Sequence, residues 1–171
     1  MSDKKIIEFG DLGRDKVTGV QGVVVSFTRY LYNCDRVGLQ PIPKTNSEKP
    51  VEELTFDTYQ VDVVKKGKVK FGNVNNEIMV AGLGDLVKDN VTLRTGIVLG
   101  ICRQAYGSPI LLVQPQQLDK DGRVRGILYF NHAQVTVVQS KKIVVENMPE
   151  KPVVDGKKTT GGPMPTVKRP Y

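Results

Sequence analysis

Apolar positions along this chain fall in short runs punctuated by Gly, Pro and Asp, and none recurs at helical spacing over a useful length. Two of the runs, Val23-Val24-Val25-Ser26-Phe27 and Ile97-Val98-Leu99-Gly100-Ile101, are β-branched, bounded by turn residues and too short for helices, which predicts central strands. A tight turn follows each, near Tyr32-Asn33 and Tyr106-Gly107-Ser108-Pro109. Third strands are expected over 37–40 and 110–114, stopped by Pro41 and Pro115. Polar loops (44–48 and 119–123) then lead into fourth strands ending at Phe56 and Phe130. Each series closes with Phe-x-x-x-Gln-Val-x-Val-Val, a single-turn break before a last strand.

The two series are one series repeated. At an offset of 74, residues 10–64 align without a gap on residues 84–138. Gly10-Asp11-Leu12 matches Gly84-Asp85-Leu86, and Asp15, Val17 and Thr18 match Asp89, Val91 and Thr92. Gly22, Val24, Arg29 and Tyr32 match Gly96, Val98, Arg103 and Tyr106. Gln40-Pro41 and Phe56 match Gln114-Pro115 and Phe130, and the Gln60-Val61, Val63-Val64 ending matches Gln134-Val135, Val137-Val138. Eighteen identities in 55 positions in an unbroken register mark a tandem duplication. A unit of this size can fold alone, and two copies fit paired domains better than a solenoid, which usually needs at least three.

Five short strands with a one-turn break before the last describe an SH3-like barrel, and the opening Gly-Asp-x-Val…Gly-x-x-Gly-x-Val resembles that of KOW-type barrels. The fold expected is therefore all-β, two tandem SH3-like small β-barrels with a linker and an extended C-terminal tail. An open meander and an OB-like barrel are the alternatives. The boundaries are 1–64 for the first module, 65–83 for a linker, 84–138 for the second module and 139–171 for the tail. Val69-Lys70-Phe71 and Ile78-Met79-Val80-Ala81 are possible added strands in the linker. The tail holds five prolines and Thr159-Thr160-Gly161-Gly162, a composition that cannot bury a core.

Charge changes the picture less than its total suggests. The net +7 resides outside the repeats: copy one nets −2 and copy two +2, whereas the linker nets +3 and the tail +4. A nucleic-acid surface usually gathers Lys and Arg on one folded face, so nucleic acid is a secondary partner here. No apolar run is long enough to span a membrane, and the start of the chain carries no apolar core of a signal peptide, so a product assembled in a host cytoplasm is expected. Cys34 and Cys102 are the only cysteines and are expected to be free thiols. With one His as well, a structural zinc site is not expected.

Candidate chemistry is sparse. The repeated pairs Arg29 and Tyr32, Arg103 and Tyr106 flank the hairpin after each central strand, where an Arg beside an aromatic suits an interface contact. The alternative is that Tyr closes the module while Arg bridges to a local acid. Lys157, Lys158, Lys168, Arg169 and Tyr171 supply a cationic, aromatic-ended tail for an acidic partner. Asp11, Asp15, Asp85 and Asp89 recur at strand entries, where Asp commonly bonds local backbone. Asp119-x-Asp121-Gly122 is a hairpin turn lacking the other ligands of a calcium loop. His132 aligns with Thr58. No Ser/His/Asp set, phosphate loop or metal cluster is seen, so no enzyme activity, cofactor, metal or small-molecule substrate is expected.

The stretch Asp15-Lys16-Val17-Thr18-Gly19-Val20-Gln21-Gly22-Val23, followed by Tyr30-Leu31-x-x-Cys34-x-Arg36-Val37-x-Leu39-Gln40-Pro41, resembles small proteins of tailed bacteriophages. Those commonly carry one copy, closing with a segment like that from Phe56 to Val64. Copy two matches less closely, lacking the Thr-Gly turn, the Tyr-Leu pair and the Cys. The resemblance implies a viral origin. With it, the expected role is a virion structural or accessory protein (head decoration, head–tail or tail-associated) whose partners are capsid or tail subunits or further copies of itself. A non-virion phage protein binding nucleic acid or a host factor through the basic linker and tail is the alternative.

Overall fold

The computed structural model describes residues 6–43, 51–72 and 78–145. Copy one contributes β1 (Leu12–Asp15), β2 (Gln21–Tyr30), β3 (Arg36–Pro41), β4 (Leu54–Asp57) and β5 (Val61–Lys65). Copy two contributes β6 (Leu86–Asp89), β7 (Thr95–Gln104), β8 (Ile110–Gln114), β9 (Leu128–Asn131) and β10 (Val135–Gln139). A single 3-10 turn, Thr58–Gln60 or His132–Gln134, separates each fourth strand from the fifth. Every pairing is antiparallel, in the order β5-β1-β2-β3-β4 and its equivalent β10-β6-β7-β8-β9.

The sheet is open. Among the described residues, β4 pairs only with β3 and β5 only with β1, so hydrogen bonding does not close either copy into the expected barrel. The 3-10 turn carries the chain from one edge to the other, and each outer strand spends its ladder bonds on one neighbour.

The two central strands are longer than the runs that signalled them, at ten residues each. A bulge explains how so long a strand is used. Register shifts between Val24 and Ser26 and between Val98 and Gly100 bend each strand midway. Before the bulge, β2 pairs with β1. Beyond it the same edge pairs with β7, Ser26 facing Gln104 and Tyr30 facing Gly100. Thr28 lies opposite Cys102, its own equivalent at the offset of 74, so a pseudo-two-fold axis passes between them. The flanking bonds obey the same symmetry: Leu31 N–H donates to Leu99 O at 2.8 Å and Ala105 N–H to Val25 O at 2.7 Å. One ten-stranded sheet results.

Each copy keeps its own core. Val24, Val37, Leu39 and Val61 form the first, with Ile7, Phe9, Phe27 and Phe56 packed around them. Ala81, Val87, Val98, Leu111, Val113, Phe130 and Val135 form the second, joined by Met79, Leu83 and Ile101. Residues outside the aligned repeat thus take part in both. The returning chain does too: Val69 N–H donates to Gly10 O and Ile143 N–H to Gly84 O. Gly10 and Gly84 sit at φ +83° and +84°, where an added Cβ would lie 2.0 and 2.1 Å from the carbonyls of Val69 and Ile143, which excludes any side chain. Residues 69–71 and 78–81, considered as added strands, form none.

The cores diverged by compensation. Copy one has Gly13 where copy two has buried Val87, and Leu39 where copy two has Val113. A Cβ on Gly13 would stand 2.9 Å from Leu39 Cδ2 and 2.8 Å from Val61 Cγ1, so the longer Leu39 occupies space that Val87 fills in copy two. Gly13→Val should therefore destabilise the protein by about 2 kcal/mol through overpacking, and Leu39→Val by about 1 kcal/mol through the space it leaves. Combined, they should recover about 1 kcal/mol or more against the sum. Urea unfolding of both single variants and the double variant measures this coupling, and strict additivity would contradict the exchange.

Candidate functional site

The four recurring aspartates are all buried, and they bind backbone. Asp15 Oδ2 accepts from Thr18 N–H at 2.6 Å and Thr18 Oγ1 at 2.7 Å, and Asp89 Oδ2 accepts from Thr92 N–H and Oγ1, both at 2.6 Å. Each thereby fixes the turn between the first two strands of its copy. Asp11 accepts from Glu8 N–H at 2.8 Å and Gly67 N–H at 2.9 Å. Asp85 accepts from Gly82 N–H and Lys141 N–H at 2.8 and 2.7 Å. These two carboxylates staple the chain entering each module to the chain leaving it, a structural use that accounts for their recurrence.

Copy one adds an ion pair. Lys66 Nζ lies 2.9 Å from Asp11 and 2.8 Å from Glu8, and donates to Ile6 O at 2.7 Å. Its equivalent in copy two is Ser140. One of the lysines that makes the linker basic is thus engaged within the module.

The Thr18 bonds hold the Asp15 carboxyl below its ordinary 3.8, and the Thr92 hydroxyl does the same for Asp89. Burial pushes Asp11 up, but Gly67 N–H, Lys66 and Glu8 N–H outweigh it, so it too is lowered. The bonds Lys66 donates to Glu8 and Asp11 raise its own pKa above the ordinary value. Carboxyls lowered in the folded state contribute stability that is present above 3.8 and disappears as pH falls through their folded values.

Around the pseudo-two-fold axis lies a concavity of about 670 Å³. Its shape follows from strand alternation. Phe27 faces Arg103 across the ladder and Arg29 faces Ile101, so these four side chains share one face of the junction. Phe27 and Ile101 belong to the edges of the two cores and form an apolar floor. Phe9 packs edge-on against Phe27, ring centroids 4.8 Å apart, and Ile7 and Met79 extend the floor. Arg29, Arg36 and Arg103 line its sides, with Asp35 as the lining carboxylate.

The arginines are not equivalently engaged. Arg29 Nε lies 3.6 Å from Asp35 Oδ2, the local ion pair weighed above as one use of this residue. Arg36 pairs with Asp57 at 3.3 Å and stacks over the Tyr30 ring, 5.8 Å from its centroid. Among the described residues, Arg103 makes no ion pair or side-chain hydrogen bond. The cause is a substitution: Pro109 stands in copy two where copy one has Asp35.

Of the expected site residues, the structure brings Arg29 and Arg103 together across the axis. Tyr32 and Tyr106 stand on the turns beyond the strands, both exposed, and Tyr106 of copy two packs edge-on against Phe71 at 4.8 Å. Tyr32 and Tyr106 therefore do not join the arginines in the groove. Lys157, Lys158, Lys168, Arg169 and Tyr171 lie outside the described residues, as does the polar loop 44–48. The apolar floor (Phe27, Ile101, Phe9, Ile7, Met79) was missed, and only the alternation of Phe27 with Arg29 and of Ile101 with Arg103 hinted at a shared face.

On the opposite face of the junction the Cys102 thiol is pushed up by burial, and Thr28 hydrogen-bonds to it. Cys34 is exposed and both thiols are free. His132 is buried, and its N–H donates to Pro109 O at 3.0 Å as Thr58 N–H does to Asp35 O at 2.9 Å. Asp119 closes the hairpin after β8 by accepting from Asp121 and Arg123 N–H at 2.9 and 2.8 Å. Among the described residues there is no group of three or more His, Cys, Asp or Glu able to hold a metal, and no helix long and apolar enough to cross a membrane.

No family model, curated protein or solved structure matches the chain.

Acid should unmake the framework. The urea midpoint is expected to stay level from neutral pH to about 5 and to fall steeply below about 4 as the lowered carboxyls protonate. Asp89→Asn should lower the neutral midpoint and shrink the acid-dependent part, and an unchanged acid limb would contradict the assignment.

Proposed function

We propose that this chain is a non-enzymatic structural or accessory protein of a tailed-bacteriophage virion, two SH3-like modules fused in one sheet that assemble through protein–protein contacts. The observation that carries the reading is the state of the sheet's rims. Monomeric β proteins shield unpaired strands with charge, bulges or covering loops, because a free edge is a template for another strand. Among the described residues the outer strands β4, β5, β9 and β10 each have one partner, and each carries an exposed large apolar residue: Leu54, Val64, Tyr129 and Val138. Tyr59, 53% exposed, extends this surface beside β5.

Copy one's resemblance to tailed-phage proteins supports the viral setting. The strand order with a 3-10 turn before the last strand supports the SH3-like assignment of each module. Capsid or tail subunits, or further copies of this chain, are the partners such rims suit. Nucleic acid is the weaker partner, since the linker's Lys66 is already bound by Glu8 and Asp11.

Quantitative mass spectrometry of density-gradient-purified particles tests the proposal. Many copies per particle are expected. Absence from clean particles, together with salt-sensitive DNA binding by the purified protein, would overturn it in favour of a non-virion role.

A further inference from the structure

We propose that the groove on the pseudo-two-fold axis docks an extended segment of a partner protein in which acidic and large apolar side chains lie close together. This names a site and a partner chemistry for the assembly role above and rests on that reading.

The groove combines two recognition elements, an apolar floor and cationic walls. Its floor, Phe27 and Ile101 with Phe9 and Met79, is apolar and stands at the margin of both cores, where an apolar side chain can leave water without displacing either. The lip is apolar as well, with Ile6 78% exposed. Its volume of about 670 Å³ falls within the range of concave binding sites.

The walls then specify charge. Of the three guanidinium groups lining the groove, Arg29 pairs with Asp35 and Arg36 with Asp57, which leaves the Arg103 charge uncompensated and favours an anion beside it. The repeat places equivalent arginines on both sides of the axis, and copy two lacks the acid that occupies Arg29, having Pro109 where copy one has Asp35. A free guanidinium beside an apolar floor is a strong site for a carboxylate, because charge-assisted bonds strengthen as water is excluded. The two arginines lie diagonally across neighbouring strands, so an extended segment laid along the groove meets one cation on each side of the floor.

Nucleic acid fits less well. Base recognition needs free aromatic faces, whereas Phe9 and Phe27 are engaged edge-to-face, 80° apart in plane.

A random dodecapeptide display selection against the full-length protein, run in parallel on Arg103→Glu, tests the site. Peptides enriched on the wild-type chain should carry Asp or Glu within a residue or two of a large apolar residue. The best of them should shift the methyl resonances of Ile101 and Met79, and should bind Arg103→Glu at least about tenfold more weakly. Arg123→Glu, on the hairpin after β8, should leave affinity unchanged, and thermal unfolding should show that Arg103→Glu remains folded. Enrichment indifferent to acid or unaffected by Arg103→Glu would overturn the proposal. So would shifts confined to another surface, or displacement of the peptide by a single-stranded oligonucleotide. Particle content is read separately: absence from virions with selective peptide binding retained removes the virion role alone, and abundance in virions without such binding removes the groove alone.

Discussion

The antiparallel pairing of β2 with β7 is the constraint on which the rest of the molecule depends. Without it the chain is two small open sheets, each with its longest strand half unpaired and its buried surface close to the lower limit for an independent domain. With it, the exposed half-edges satisfy one another, and a symmetry axis appears with Thr28 and Cys102 on either side. The groove exists only because of that pairing: Phe27 and Ile101 are brought onto one floor by the register, and a slip of one residue would send one strand's half of the floor to the opposite face. The arrangement places the two copies as subunits of a symmetric dimer would lie, within one chain.

Divergence was tolerated unequally. The carboxylate staples are kept in both copies, since Asp11 and Asp85, Asp15 and Asp89 accept the same backbone donors at equivalent positions. Apolar cores were repacked, as Gly13 with Leu39 against Val87 with Val113 shows. Isotropic packing accepts exchanges of volume between neighbours, whereas a buried carboxylate has few replacements that satisfy two N–H donors at once. The absence of an Asp35 equivalent in copy two costs little, because an exposed ion pair contributes little to stability, and it leaves Arg103 available.

Much of this was legible in the chain. The repeat, the strand positions, the single-turn break and the turn role of the aspartates follow from alternation, Gly and Pro placement and the offset of 74. The full length of β2 and β7 did not, because Thr28, Arg29 and Tyr30 look like the approach to a turn, and only a partner strand makes them a ladder. The open rims were hidden for a related reason: five strands of this order are compatible with closure or openness, and local sequence does not say which edges meet. Arg29 and Arg103 were recognisable as a repeated pair, but their meeting across an axis and the apolar floor between them are tertiary facts. The tyrosines grouped with them sit beyond the strand ends, where sequence spacing alone does not separate a groove from a turn.

The most direct test of the junction is a cross-link on its axis. The parity of the Leu31–Leu99 and Ala105–Val25 bonds makes Thr28 and Cys102 a non-hydrogen-bonded pair, with Cα atoms about 4.5 Å apart, within the reach of a disulfide. In a Cys34→Ser background, Thr28→Cys should form an intramolecular disulfide to Cys102 on mild oxidation, identified by peptide mapping, while the protein stays monomeric on denaturing gels. Two thiols that stay free, or that link only between chains, would contradict the paired axis and with it the groove.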